Sequence, residues 1–143
     1  MKTHHAVLTV STRGRRETHD LTDPVATVVR ASGVRRGLVH VASLHTTAAL
    51  TVNEHEPRLM QDLLDWLHRV APAGQGWRHD GLAATIPGEP ANTDAHLAAM
   101  LLGRGHTLPV EEGAPVLGTW QRIILVELDG PRTRRVAVTV TGT

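Results

Sequence analysis

A stripe of leucine and methionine after Pro57 is the clearest pattern in the chain. Its apolar positions recur three and four residues apart, as on one face of a helix, while charged and amide side chains fill the other face. The stripe consists of Leu59, Met60, Leu63, Leu64 and Leu67. Because proline is favoured in the first turn of a helix, we predict an amphipathic helix that begins at Pro57.

Two further helices are predicted from their end signals. Thr22 or Asp23 is a suitable N-cap for a short helix over 25–31. Asn92 is a suitable N-cap for another helix over 93–102. This last helix is apolar nearly all round, so we expect it to lie between layers or at a subunit contact.

The remaining apolar segments are short and rich in β-branched residues, as expected for strands. The turn residues at 129–132 predict that the last two strands form an antiparallel hairpin. Together the elements predict one α+β domain over 1–143, a mostly antiparallel twisted β-sheet or sandwich with two or three helices packed on it. The predicted strands cover 6–11, 37–44, 48–53, 106–110, 122–129 and 134–140.

The composition narrows the classes of function. A net charge of +1 and an aromatic content of 2% give little attraction for nucleic acid and few rings for stacking on bases, so we expect no nucleic-acid partner. No apolar run is long enough to span a membrane, and the first residues do not resemble a signal peptide. We therefore expect a cytoplasmic protein with no membrane partner.

Three histidines are the main candidates for chemistry. His45 ends a predicted strand, His79 follows a tryptophan and an arginine, and His96 lies near the start of the helix over 93–102. Imidazole binds transition metals and exchanges protons near neutral pH, and a helix N-terminus favours its neutral form. Because the chain has no cysteine, a divalent metal would have nitrogen and oxygen ligands, which suit zinc first and nickel, manganese or iron next. We expect the three rings to line one pocket.

Polar residues that follow His45 are candidates for the same pocket. Thr46 and Thr47 come directly after it, and Asn53 with Glu54 ends the next predicted strand. Glu54 is open to three interpretations: a ligand, a base, or a solvated residue near a helix start.

A second group of candidates lies near the C-terminus. Glu127 belongs to a strand that is apolar on both faces, where an unpaired carboxylate is expensive. We therefore expect it to contact a cation: a metal, a protonated histidine, or an arginine such as Arg122 or Arg132. A structural ion pair is the alternative to a functional role. Thr119 and Gln121 precede this strand and supply hydrogen-bonding groups.

Taken together, these motifs resemble the YjbQ family, also named secondary thiamine-phosphate synthase. The resemblance covers residues from about 6 to 142 and is carried by the segments 45–54, 77–79, 92–96, 117–121 and 127–132. It implies an α+β fold on an antiparallel sheet, a homotrimer, and a pocket near a subunit boundary. By position, it implies that the metal or phosphate ligands are His45, His79 and His96. It further implies catalytic support from Asn53, Glu54 and Glu127, and ligand binding by Thr46, Thr47, Asn92, Thr119 and Gln121.

The function implied by this resemblance is a metal-assisted transfer. The enzyme would join hydroxymethylpyrimidine diphosphate to thiazole phosphate and release diphosphate, with a divalent ion neutralising the leaving group. A small phosphorylated metabolite is the expected partner. Two alternatives stay open: a trimer that binds a metal or a phosphorylated metabolite without turnover, and a metal-dependent hydrolase.

Overall fold

The computed structural model describes all 143 residues, and its strands form two antiparallel sheets. The predicted α+β class, with a mostly antiparallel sheet or sandwich, is therefore confirmed. The larger sheet has the order β1 (Lys2–Ser11), β8 (Thr133–Gly142), β3 (Arg36–Ser43), β5 (Gly105–Glu111) and β6 (Ala114–Pro115). The smaller sheet has the order β2 (Glu17–Asp20), β7 (Arg122–Glu127) and β4 (Ala48–Asn53).

Four helices accompany the sheets. The helices predicted from Pro57 and over 93–102 are confirmed, and the one predicted over 25–31 is longer at both ends. None of them has the length and apolar content that crossing a membrane requires. They are α1 (Thr22–Ser32), α2 (Pro57–Val70), the single turn α3 (Leu82–Thr85) and α4 (Thr93–Leu102), with a 3₁₀ turn over Arg78–Gly81 before α3.

The smaller sheet lies between two apolar layers, because its strand β7 is apolar on both faces. Ile123 and Leu125 pack with α1 and the larger sheet, whereas Ile124 and Val126 pack with α2 and α4. None of these four side chains is more than 1% exposed. The four middle residues of β7 therefore alternate between two apolar cores, and the smaller sheet contributes to both.

The predicted hairpin between the last two strands is wrong. β7 pairs with β2 and β4, whereas β8 pairs with β1 and β3 in the other sheet. The segment 128–132, with a cis peptide bond between Gly130 and Pro131, carries the chain from one sheet to the other. Alternation of apolar and polar residues identifies a strand but does not specify the sheet that it joins.

The N-terminus of α4 is capped by a distant residue. Asn92 precedes the helix as predicted, but its side chain makes no capping hydrogen bond. Instead, Asp80 in the 3₁₀ turn accepts hydrogen bonds from the backbone N–H of Thr93 at 3.1 Å and from its hydroxyl at 2.7 Å. The side chain of Asn92 is therefore free for another contact. The predicted cap of α1 is also wrong, since Leu21 occupies that position.

A buried ion pair joins the two sheets. Glu127, the last residue of β7, is fully buried, and Arg134 in β8 is 2% exposed. Arg134 donates from Nε and Nη2 to the two carboxylate oxygens, at 2.6 and 2.5 Å. Its Nη2 also donates to the carbonyl and hydroxyl oxygens of Thr47, at 3.1 and 2.9 Å. The cation expected beside Glu127 is thus an arginine, although neither Arg122 nor Arg132.

We expect Glu127→Gln to lower the free energy of unfolding by about 3–5 kcal/mol, because it leaves Arg134 buried without its carboxylate. The matched control is Glu111→Gln, which removes an exposed pair with Arg36 at 3.3 Å and should cost less than about 1 kcal/mol. Urea unfolding of both variants measures the difference. Small and equal losses would contradict a structural role for the buried pair.

Candidate functional site

A polar cavity of about 880 Å³ lies beside the two segments that connect the sheets. Its walls are the connection 44–47 between β3 and β4, the end of the connection before β8 with the first two residues of β8 (131–134), and the segment before α4 together with His96. Only one of its 13 lining residues is hydrophobic, so the cavity suits a polar or charged ligand. The predicted site residues that line it are His45, Thr46, Thr47, Asn92 and His96.

His45 follows the end of β3, and the adjacent strand fixes its ring. The backbone N–H of Arg135 donates to Nε2 at 2.8 Å. A nitrogen that accepts a hydrogen bond carries no proton, so the proton of the neutral ring lies on Nδ1. This N–H has no protein acceptor and is not a buried atom, so it remains available to a ligand. Burial, and then the charge of Arg134, lowers the pKa of His45 below its ordinary 6.5, which favours the neutral ring.

His96 and His79 contact each other at the start of α4. Their ring centroids are 4.8 Å apart and the planes are almost perpendicular, at 89°. Burial, and then the proximity of His79, lowers the pKa of His96 below 6.5. His96 lines the main cavity, whereas His79 lines a neighbouring one with Thr93 and Leu97. The three histidines thus lie in one region, but only His45 and His96 line the cavity of about 880 Å³.

One carboxylate orients two groups of the cavity wall. Asn92 donates from Nδ2 to Asp129 Oδ2 at 2.8 Å. Arg132 donates from Nη2 to the same oxygen at 3.0 Å and from Nε to the Asp129 carbonyl oxygen at 2.8 Å. Asp129 therefore holds an amide and a guanidinium group in place beside the cavity.

A second carboxylate attaches the connection between β1 and β2 to α4. Asp94 is 1% exposed, and it accepts from Arg15 at 3.1 Å and from Arg16 at 2.8 Å. Burial acts to raise the pKa of Asp94, but the hydrogen bonds and charges of these arginines outweigh it, and the pKa is lowered. The ionised side chain also complements the positive end of the helix dipole.

Asn53 and Glu54 lie at the opposite end of the smaller sheet. Ala48, next to the cavity, pairs with Glu127, whereas Asn53 pairs with Arg122. The five steps along β4 from residue 48 to residue 53 span roughly 17 Å at the usual rise of a strand. Asn53 is exposed, and its Oδ1 accepts from the backbone N–H of Glu54 at 2.8 Å. Within one chain, neither residue lines the cavity with His45.

Thr119 and Gln121 also lie at that far end, in the turn before β7. Both are exposed. Gln121 Oε1 accepts from the backbone N–H of Gly118 at 2.8 Å, which closes the turn on itself. Within one chain these residues do not line the cavity with His45, and their expected role in ligand binding stays a prediction.

Glu127 lies behind the cavity wall and does not line it. Its two oxygens accept from Arg134, and Oε1 also accepts from the backbone N–H of Asp129 at 2.9 Å. A carboxylate with these partners positions the wall, which favours the structural ion pair, and the expected catalytic role of Glu127 stays a prediction.

The histidines do not fit a metal ion in this arrangement. No group of three or more His, Asp or Glu side chains is placed to hold one. Binding through Nδ1 of His45 would also require the proton to move to Nε2, which would break the hydrogen bond from Arg135. The set of His45, His79 and His96 is therefore not a ready zinc site.

Two residues beside the cavity were not identified from the sequence. Glu89 lies in the segment before α4, where apolar and polar residues follow no regular spacing. Arg134 occupies the same face of β8 as Val136, Val138 and Val140, all fully buried. An arginine in register with three buried valines is a signal for a buried cation, and it could have identified the partner of Glu127.

The fold and the cavity define a class of protein: two antiparallel sheets with a polar cavity, lined by histidine and arginine, at the connections between them. A match to the family described as UPF0047 protein YjbQ-like extends over residues 6–143. The chain belongs to this family.

Individual relatives cover nearly the whole chain. A UPF0047 protein of Archaeoglobus fulgidus is 47% identical over 131 residues, which are 92% of this chain and 96% of the relative. The UPF0047 protein YugU of Bacillus subtilis is 35% identical over 136 residues, 94% of this chain and 97% of the relative. A crystal structure of a YbjQ-like protein of unknown function from Sulfolobus solfataricus covers 99% of both chains, with a TM-score of 0.92 and 38% identity.

We expect the free energy of unfolding to fall as the pH decreases from about 7.5 to 5.5, partly because of His96. Its folded-state pKa lies below 6.5, so the unfolded chain takes up a proton that the folded chain resists, and stability is lost below about pH 6.5. Carboxylates with lowered pKa values lose their contribution only at more acidic pH. Urea unfolding at the two pH values should show a smaller decrease in His96→Gln than in the wild type or in the exposed control His68→Gln. An unchanged decrease in His96→Gln would contradict the lowered pKa.

Proposed function

We propose that this protein is a small-molecule enzyme whose cavity binds the phosphate of a phosphorylated metabolite. The observation that carries the proposal is the fixed ring of His45, which lines a polar cavity, accepts at Nε2 from the Arg135 backbone and leaves its Nδ1–H without a protein partner. Arg132 adds a tethered guanidinium group to the same wall. Oriented N–H groups of this kind are the usual means by which proteins bind phosphate oxygens.

Hydrogen-bond donors contribute more to this recognition than net charge does. Arg134 lines the cavity, but Glu127 neutralises its charge. Arg132 is paired with Asp129, although its side chain remains 45% exposed. Thr46 lies beside His45 and supplies a hydroxyl group. The ligand would therefore be selected by geometry as well as by charge.

His96 is the best candidate to stabilise a leaving phosphate group. It lines the cavity, and its lowered pKa favours a neutral ring at neutral pH, whose N–H can donate a hydrogen bond to a phosphate oxygen. Glu89 lines the same cavity and supplies a carboxylate. These residues replace Glu54, which lies at the far end of β4.

The specific reaction that we propose is the thiamine-phosphate synthase type of transfer. The carbon–oxygen bond to diphosphate in hydroxymethylpyrimidine diphosphate breaks, and a bond to the nitrogen of thiazole phosphate forms. A cavity of about 880 Å³ is large enough for two small substrates. The family resemblance supports this choice, together with the phosphate-binding groups described above.

We expect His45→Ala to bind inorganic phosphate or diphosphate about tenfold more weakly than the wild type, as for the loss of one hydrogen bond to a charged group. The matched control is His68→Ala, because His68 is exposed on α2 and does not line the cavity. Isothermal titration calorimetry measures both. Equal affinities of the wild type and both variants for phosphate would contradict a phosphate site at His45.

Turnover is tested with both substrates and magnesium chloride, by chromatography of the thiamine phosphate formed. We expect product from the wild type and from His68→Ala, and at least a tenfold lower rate in His96→Ala, since removing one positioned hydrogen-bond donor to developing charge costs about 10²–10³-fold. A parallel reaction with EDTA and no magnesium, run beside elemental analysis, tests the predicted divalent metal. No product from the wild type would contradict the transfer.

Two other functions are distinguished by the same experiments. Tight phosphate binding without any product would favour a binding protein without turnover. Release of inorganic phosphate from simple phosphate esters would favour a hydrolase, which would be metal-dependent if EDTA abolished the release.

We also propose that the protein is a homotrimer with the cavity near a subunit boundary. The number of subunits comes from the family resemblance, and exposed apolar side chains support an interface. Met100 and Leu101 on α4 are 75% and 53% exposed, and Trp120 is 72% exposed, which is unusual for such residues unless a partner covers them. An interface of this kind would allow Asn53 and Gln121 of one subunit to approach the cavity of another.

Light scattering should give a mass of about three times the 15.5 kDa of the chain. We expect Leu101→Glu to shift the mass towards the monomer, because it places a charge in the buried part of the interface. Gln75→Glu, on an exposed loop, is the control and should leave the mass unchanged. A monomeric wild type would contradict the proposal.

A further inference from the structure

We propose that the ligand of this cavity carries, besides its phosphate, an amino or hydroxyl group that donates a hydrogen bond to Oδ1 of Asn92. The phosphate part of this inference rests on the proposed function. The donor part rests on a separate observation, which is the state of the Asn92 amide.

The orientation of this amide is determined by its neighbour. Nδ2 donates to Asp129 Oδ2 at 2.8 Å. The Asp129 carboxylate also accepts from Arg132 at 3.0 Å, and its Oδ1 lies 3.9 Å from Arg15 Nε. A carboxylate between two guanidinium groups is ionised and only accepts hydrogen bonds. If the Asn92 amide were rotated, its Oδ1 would face Asp129 Oδ2, and two acceptors would meet. Asn92 therefore keeps its Nδ2 towards Asp129 and its Oδ1 on the other side.

Oδ1 has no partner in the folded chain. Asn92 is 6% exposed, and its Oδ1 is the one buried side-chain oxygen in the structure without a hydrogen bond. An unsatisfied buried acceptor destabilises a protein, so a native one calls for an explanation by water, an ion or a ligand. Because Asn92 also lines the phosphate cavity, a ligand is the explanation that the position favours.

Helix capping does not account for this acceptor. An asparagine before a helix usually accepts a hydrogen bond from the first turn. Here Asp80 accepts the Thr93 hydrogen bonds instead, and the Asn92 side chain makes no cap. The acceptor is therefore oriented and buried without a structural partner, as expected for a group that selects a ligand.

The chemistry of this position defines a class of ligand. A phosphate monoester whose hydroxyl or amino group reaches Asn92 Oδ1 would donate a hydrogen bond to it. A methyl group at the same place would leave Oδ1 buried without a hydrogen bond. Sites that lose a buried hydrogen bond discriminate strongly against the analogue that lacks the donor. The cavity should therefore prefer hydroxyalkyl or aminoalkyl phosphates to simple alkyl phosphates.

The test measures this preference directly. The probes are 2-hydroxyethyl, 3-hydroxypropyl and 4-hydroxybutyl phosphate, each compared with the alkyl phosphate in which methyl replaces hydroxyl. For the wild type, we expect at least one hydroxyl probe to bind about tenfold more tightly than its methyl counterpart, as for one hydrogen bond. In Asn92→Ala the ratio should fall to about one, and calorimetry of inorganic phosphate in the same variant reports whether the anion site is retained.

A second variant addresses the same acceptor if Asn92→Ala does not fold. Asp129→Asn removes the constraint on the Asn92 amide, because an asparagine at 129 can donate its N–H to Asn92 Oδ1 once that amide rotates. Rotation would turn Nδ2 to the side that Oδ1 occupied, which would again reduce the hydroxyl preference. Calorimetry of inorganic phosphate in the same samples reports whether the anion site persists.

The outcomes separate the two proposals. A hydroxyl preference in the wild type that is lost in Asn92→Ala, or in Asp129→Asn where Asn92→Ala does not fold, supports the inference. Phosphate binding without such a preference, or a preference that survives Asn92→Ala, overturns the inference and leaves the proposed function intact, with water as the partner of Oδ1. If inorganic phosphate does not bind and His45→Ala changes nothing, the proposed function fails and the inference fails with it.

Discussion

The ion pair between Glu127 and Arg134 determines how the two sheets and the cavity fit together. Its carboxylate ends a strand of one sheet, and its guanidinium group belongs to a strand of the other. Arg134 also binds Thr47, so the connection that carries His45 is attached to the same pair. The next residue, Arg135, fixes the His45 ring through its backbone. Two consecutive residues of β8 thus connect the core of the protein to its cavity.

The sequence predicts the elements of this fold better than their arrangement. The amphipathic helix from Pro57 and the strands β3 and β4 follow from local periodicity, which depends only on which side chains face a core. The sequence does not indicate strand β2, because Glu17–Asp20 has no apolar residue, and its position depends on pairing with β7. The hairpin was predicted from a good turn signal, yet the two strands that it joins belong to different sheets. Pairing of distant strands is a tertiary property that no short window contains.

In the candidate site, too, the sequence predicts local features better than their arrangement in space. His45 and Thr47 could be predicted because polar residues interrupt an apolar pattern at the end of a strand. Asn53 and Glu54 have the same local signal and follow closely in the sequence, but an extended strand carries them roughly 17 Å away within the chain. Residues that are close in sequence can lie far apart in an extended strand, because a strand has a greater rise per residue than a helix.

Three polar groups of the cavity wall are oriented by residues that do not line the cavity. Asp129 sets the amide of Asn92 as well as the guanidinium group of Arg132, and Arg135 sets the His45 ring through its backbone. Such supports hold donors and acceptors in place before a ligand arrives, which reduces the reorganisation that binding requires. This arrangement also explains why buried charges are tolerated beside the cavity. Replacing the Glu127 pair with apolar residues could preserve the sheets, but it would release the Thr47 connection and, with it, the position of the imidazole.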